Sequence, residues 1–426
     1  MYLTAMASIC FLATLFLICT SLGLTIQQCI SHNDSAGTQE DIDAAVRAYV
    51  NGSLNFGLEM FRILQAEPSD NTTRGLFFSP FSVWSALAIT FTGTKGYTEN
   101  ELRCLLGIGG VDKGFNAVAY KSTQRWYEER RKGNDSFRLA NQLYFHYDIP
   151  LRECLMDYFK EDVSQLDFHR YPEQARLTIN EWVEEQTDYK ITGFLPSSSI
   201  NSMTNFVIVN AVYFKGTWMQ QFEIHKTRPG TFTSGVGIEQ EAQMMNMRGI
   251  FLYGVNEVLK CQVLELPFSG NDFSMVILLP ENRYFGVDIL SRLITPDQVS
   301  DIFFSVYPTD VWVSLPKFRT ESNFDLAFVL QKMGLREIFD PRYANLTGFT
   351  EHKVVVNMDG VYHKAFIEVN EEGAEAAAAT GILAARSARP VGPVKFIADH
   401  PFFYYVRDNL SNIILFMGTV VRPIYD

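Results

Sequence analysis

The chain has 426 residues, 47% of them hydrophobic, which is enough to bury a large core. Its formal charge of −12 excludes a dominant role at nucleic acid or at an anionic membrane surface, where a basic face supplies the affinity. It carries no Gly-x-Ser-x-Gly, His-Glu-x-x-His, Walker loop or dinucleotide fingerprint, so the common catalytic motifs are excluded too.

The first element is apolar, from Ala5 to Leu24, with the small residues Cys19, Thr20, Ser21 and Gly23 near its end. It reads as a secretory signal peptide over residues 1–23, removed to leave 24–426. The alternative is a retained membrane anchor, because the stretch is nearly long enough to span. No other stretch is apolar enough to do so. Removal takes Cys10 and Cys19 and leaves Cys29, Cys104, Cys154 and Cys261, whose spacing suits no zinc site. These four can pair in three ways or stay free in so large a core. Sequons begin at Asn33, Asn51, Asn71, Asn134, Asn345 and Asn409, as expected of a secreted glycoprotein.

From Asp41 to Gln65 apolar residues recur at near-helical spacing, predicting an opening helix. Phe77-Phe78 is a short buried strand that feeds a helix with Ser79 as N-cap and Pro80 in the first turn. This helix ends at Gly93, and Thr98 with Glu101 has the form of a capping box. Gly107-x-Gly109-Gly110 is a turn. Arg130-Arg131-Lys132 could meet a polyanion such as a glycosaminoglycan, but Glu128 and Glu129 beside it favour an ordinary solvated face. Phe137 to Tyr144 alternates as a strand, and Ile179 to Thr187 reads as a helix. Phe206 to Trp218 is a nearly continuous run of β-formers, predicting a strand buried on both faces at the centre of a large sheet. Val263–Phe268 and Phe273–Pro280 form a strand pair. Val313–Phe318 precedes a helix around Leu326 to Met333, and Phe402–Arg407 and Ile413–Val421 are the last two strands.

The run Asn370-Glu371-Glu372-Gly373-Ala374-Glu375-Ala376-Ala377-Ala378-Ala379-Thr380 is helix by alanine propensity alone. Gly373 before it and Gly381, Pro390, Gly392 and Pro393 after it leave little room for a packed helix. With a period of two, Ala374, Ala376, Ala378 and Thr380 share a face made only of small side chains. Such a segment can slide between two existing strands.

This run, together with Asp399-His400-Pro401-Phe402-Phe403, the Ser79-Pro80 helix start, Gln243-Met244-Met245 and the long strand ending in Trp218, resembles an inhibitory serpin. The resemblance extends from about residue 50 to the C-terminus. It implies an α+β fold in one domain, with about nine helices, three β-sheets and an exposed reactive loop over about residues 371–395. It implies a hinge at Glu371, Gly373, Ala374, Glu375, Ala376, Ala377, Ala378, Ala379 and Thr380. Ser79, Asn210 and His363 would form a polar cluster beneath the opening sheet, and Lys317 would pair with Glu371 near Trp218 as an exposed ion pair. The expected activity is suicide inhibition of a serine protease by a secreted monomer, with no catalytic residues, cofactor, metal or nucleic acid. The usual hinge count places the cut at Ser387–Ala388. A count one residue shorter gives Arg386–Ser387, preferred here because arginine fills the acidic pocket of a trypsin-like protease. The alternatives are an elastase-like target or a serpin-fold carrier that inhibits nothing.

Overall fold

The computed structural model describes residues 47–66, 75–130, 136–372 and 392–425. The first element is a π-helical turn, Ala48–Gly52, continued by α1, Ser53–Ala66. After β1 (Phe77–Phe78) come α2 (Pro80–Gly93), α3 (Gly96–Leu106) and α4 (Lys113–Arg130). Then follow β2 (Ser136–His146), α5 (Glu153–Tyr158), β3 (Val163–Leu166), α6 (Pro172–Gln186) and β4 (Phe206–Lys215). A run of strands comes next: β5 (Arg228–Thr233), β6 (Glu239–Asn256), β7 (Cys261–Pro267) and β8 (Phe273–Pro280). The chain continues with α7 (Gly286–Leu293), α8 (Pro296–Ser305), β9 (Tyr307–Pro316), β10 (Phe318–Asp325) and α9 (Ala327–Lys332). It closes with β11 (Gly360–Val369), β12 (Val394–Ile397), β13 (Phe402–Asp408) and β14 (Ile414–Val420).

Among the described residues there are nine α-helices and two sheets. The five-stranded sheet has the order β10-β11-β4-β2-β3, and the larger one runs β1-β14-β13-β8-β7-β6-β9-β12, with β5 beside β6. Two sheets rather than three are present because β6 is 18 residues long. Its first part pairs with β5 and β9 and its last with β7, so the expected third sheet is continuous with the second.

The core explains the run of apolar residues in β4. Phe206, Ile208, Val212 and Phe214 face the main core, while Val207, Val209, Ala211 and Tyr213 are covered in a second cluster with Ile179 and Val183 of α6. A strand buried on both faces needs apolar residues at every position. Asn210 interrupts the main-core face, fully buried.

Three expectations are corrected. Thr98 is not an N-cap: α3 starts after Lys95, and the Thr98 hydroxyl donates to Glu337 Oε2 at 3.2 Å. Glu101 accepts instead from the backbone amides of Arg336 and Glu337, so tertiary partners displace the local box. The second is the segment before α9, where an unforeseen strand lies. Its inward residues are Phe318, Thr320 and Ser322, too polar to show apolar alternation. The third is the long strand, which stops at Lys215, because Gly216 and the residues after it turn across Phe268.

Candidate functional site

The site is built where β11 and β4 meet. They are parallel neighbours, with Gly360 opposite Val207 and Ile367 opposite Phe214. Parallel pairing is slightly less stable per residue than antiparallel pairing. A chain that left the end of β11, reversed, and entered between the two would lie antiparallel to both.

Beneath this seam His363 of β11 sits opposite Asn210 of β4, both fully buried. The Ser79 amide donates to His363 Nε2 at 3.1 Å, so Nε2 has no proton and Nδ1 carries it. Nδ1 then donates to Asn210 Oδ1 in a short bond across the seam. The Asn210 amide nitrogen donates to Ser82 Oγ and Asn141 Oδ1. Asn141 Nδ2 in turn donates to Ser85 Oγ at 2.9 Å. Ser79 is the N-cap of α2: its hydroxyl accepts from the Ser82 amide and donates to Leu415 O at 2.6 Å. Burial lowers the His363 pKa to about 3, outweighing the hydrogen bond to Asn210 that would raise it. The imidazole is therefore neutral throughout the physiological range.

At the open end of the seam the chain beyond β11 is held by the segment that follows β4. Trp218 Nε1 donates to Asn370 O at 2.9 Å, the Phe222 amide to Glu371 O at 3.1 Å, and Gln221 Nε2 to Glu372 O at 3.0 Å. Three consecutive carbonyls are thus held by three residues of the five-residue stretch 218–222. The Trp218 ring lies against Phe268, with centroids 4.6 Å apart and planes 11° from parallel. Glu371 pairs with Lys317 at 2.9 Å and accepts from Thr227 Oγ1 at 2.7 Å. Its side chain is only 8% exposed, so this is not the exposed ion pair that was expected. Burial acts to raise the Glu371 carboxyl, but the bonds from Lys317 and Thr227 prevail and hold it below its ordinary value. Lys317 Nζ also lies 4.2 Å from the centre of the Tyr425 ring.

The structure therefore brings Ser79, Asn210 and His363 together in one cluster, and Trp218, Lys317 and Glu371 in another. The hinge residues Gly373, Ala374, Glu375, Ala376, Ala377, Ala378, Ala379 and Thr380 lie outside the described residues, as do Arg386 and Ser387. Sequence reasoning missed Asn141, Ser82, Thr227 and Gln221. The signal for Asn141 was present: it shares the β2 face with Leu139, Leu143 and Phe145, and a polar residue on such a face needs a partner.

Arg130 is not part of a solvated face. It is half-buried, pairs with the fully buried Asp408 at 2.8 Å and stacks 4.9 Å from the Phe273 ring, so one of the three basic residues proposed for a polyanion is already committed. The sequons also differ. Asn51 is exposed, whereas Asn409 is half-buried and its amide nitrogen donates to Asn271 O and Ser274 Oγ, so both its N–H groups are engaged. Asn345 is half-buried in a turn and accepts from Thr347 Oγ1; Asn33, Asn71 and Asn134 lie outside the described residues. Cys154 is disulfide-bonded, Cys104 is an exposed free thiol and Cys261 a buried one, whose pKa burial pushes up to about 12. Among the described residues no helix is long and apolar enough to cross a membrane, and the N-terminal leader falls outside them.

The chain matches the family described as Serpin (serine protease inhibitor) over residues 51–423. It is 35% identical to serine protease inhibitor 88Ea of Drosophila melanogaster, covering 87% of this chain and 90% of that one. It is 36% identical to a leukocyte elastase inhibitor of Sus scrofa, covering 86% and 97%. Among solved structures, uncleaved ovalbumin superposes with a TM-score of 0.77 at 27% identity over 88% of this chain and all of that one. Maspin does so at 0.79 and 26% identity over 90% of this chain and all of that one. With the family matched over nearly its whole length and the fold shared, the chain is a member of the serpin family.

Proposed function

We propose that this serpin is a secreted suicide inhibitor of trypsin-like serine proteases, cut at Arg386–Ser387. The observation that carries the reading is the parallel seam between β11 and β4, joined directly to the small-residue hinge. The protease serine attacks the carbonyl of Arg386, its proton passing to the protease histidine, and the Ser387 nitrogen departs with a proton from that histidine. An ester then links the loop to the enzyme. The freed segment from Gly373 to Ala385 enters the seam and carries the acylated protease away before water completes hydrolysis.

The energetics favour entry. Eight register pairs join β11 to β4, and a strand between them exchanges one such ladder for two. About eight additional bonds at about 1 kcal/mol net each give roughly 8 kcal/mol. Entry also doubles the separation of His363 and Asn210 to about 10 Å and breaks their bond, since each strand adds about 4.8 Å. The carbonyl bonds at residues 370–372 span the same gap. These contacts supply a barrier, so the energy is held back kinetically.

Secretion is supported by the apolar leader and by the disulfide at Cys154, since disulfides persist in oxidising compartments. A second reading, an elastase-like target cut at Ser387–Ala388, is favoured by relatives named leukocyte elastase inhibitor and by the usual hinge count. Incubation with trypsin and with elastase, then denaturing electrophoresis and mass analysis of the released peptide, decides between them. A stable complex with trypsin and a peptide starting at Ser387 supports the first. A complex with elastase and a peptide starting at Ala388 supports the second. Cleavage without complex refutes inhibition and leaves a carrier.

A further inference from the structure

Beyond β14 the chain runs on to the end of β11, and each step is fastened. Arg422 Nε donates to Gln240 Oε1 at 2.7 Å, Gln240 Nε2 donates back to Pro423 O at 3.0 Å, and the Arg319 amide donates to Ile424 O at 2.8 Å. Gln240 belongs to β6 and Arg319 to β10, so two strands pin the tail before it reaches Tyr425. Three groups then close on that side chain. The Tyr425 hydroxyl donates to Glu368 Oε1 at 3.0 Å, Asn370 Nδ2 donates to the hydroxyl at 3.4 Å, and Lys317 Nζ lies 4.2 Å from the ring centre. We infer that Tyr425 is a positioning residue for loop entry: its ring holds the Lys317 ammonium against Glu371 and so keeps the root of the uncleaved loop closed. The inference rests on the inhibitory reading above.

A tyrosine ring attracts an ammonium through its quadrupole and also keeps water off one side of the Lys317–Glu371 pair. Lysine is long and flexible, yet the Lys317 side chain is only 18% exposed, with the ring near one side and the Glu371 carboxylate 2.9 Å away. Without the ring, water reaches the pair, and an ion pair in water contributes little.

The consequence for the seam follows from which side each partner belongs to. β10 and β11 share eight register pairs, and Lys317, Glu368 and Asn370 lie on or next to these two strands. This side moves as a unit when the seam opens, so the tail itself does not cross the gap. Glu371 does cross it: its carboxylate accepts from Thr227 and its carbonyl from the Phe222 amide, both in the segment that follows β4. Tyr425 therefore acts on entry through Lys317 and Glu371.

The test incubates the full-length protein without protease, below its unfolding temperature, and follows the fraction that becomes an uncleaved monomer resistant to heat that unfolds the starting form. An inserted loop adds a strand to the sheet, which is why this form resists heat. Tyr425→Ala is expected to convert about three- to tenfold faster than wild type, and Tyr425→Phe, which keeps the ring, at nearly the wild-type rate. In a Glu371→Gln background Tyr425→Ala is expected to add nothing further, because both changes act on one pair. Conversion of Tyr425→Ala at the wild-type rate overturns the inference. Aggregation or unfolding without the heat-resistant monomer also overturns it and leaves a merely structural tail. An acceleration that adds in full to that of Glu371→Gln, or a Tyr425→Phe protein as fast as Tyr425→Ala, removes the ring's action through Lys317. No protease enters the measurement, so a chain that traps none refutes inhibition while this reading stands or falls on the conversion rates.

Discussion

Acidification offers a direct probe of the seam through His363. In the native fold burial lowers this imidazole to about 3 from an ordinary value of 6.5. Between these values the unfolded chain binds the proton and the native chain does not. The stabilisation is thus complete above pH 6.5 and is lost as pH falls towards 3. At pH 5 the group is about 1.5 units below its unfolded pKa, which corresponds to about 2 kcal/mol lost relative to pH 7. Because the proposed mechanism holds the native state kinetically, the assay is the unfolding rate in a fixed denaturant concentration, read by tryptophan fluorescence at pH 7, 6 and 5. His363→Gln keeps an acceptor and a donor at the seam but cannot titrate. It is expected to unfold faster than wild type at pH 7 and to show an acceleration between pH 7 and 5 smaller by up to about 30-fold, the rate equivalent of 2 kcal/mol. Parallel pH profiles for the two proteins would refute the buried neutral imidazole as the seam's acid-sensitive element.

The remaining predictions concern other contacts. Glu371→Gln leaves Lys317 without its charge partner in a nearly closed site and is expected to cost about 1–3 kcal/mol, seen as a lower thermal midpoint and faster loss of inhibitory activity on storage. Trp218→Phe preserves the stacking on Phe268 but removes the bond to Asn370 O; a loss of about 1 kcal/mol should appear in the same storage assay. Arg130→Ala leaves Asp408 buried and unpaired, so a loss of about 3–5 kcal/mol in stability is expected, with little change in heparin retention on a column. Intact mass should drop by one glycan for Asn51→Gln and stay unchanged, apart from the substitution, for Asn409→Gln.

Much of the fold was legible because its signals are local. The period-two and continuous apolar runs fix β2, β4, β7 and β8, and Ser79-Pro80 marks the start of α2 on its own. The candidate site was legible only in part. Ser79, Asn210 and His363 were joined by resemblance, not by spacing, since they are 131 and 153 residues apart along the chain (210 − 79 and 363 − 210). Asn141 carried a readable signal, a polar residue among inward-facing apolar neighbours, but nothing local named its partner.

By itself, then, the sequence determined several of the strands and helices, among them β2, β4, β7, β8 and α2, together with the net acidic charge and the run of small residues after Gly373. These depend on side-chain size, backbone freedom and periodicity within a few residues. Tertiary structure alone decided that β6 joins two expected sheets, that Thr98 and Glu101 serve distant loops rather than their own helix, and that Glu371 is buried beside Lys317 and Arg130 half-buried against a buried Asp408 instead of being exposed charges. The physical reason is common to all three. Hydrogen bonds and charges choose among partners by distance and desolvation, and both quantities exist only once segments remote in sequence have packed together.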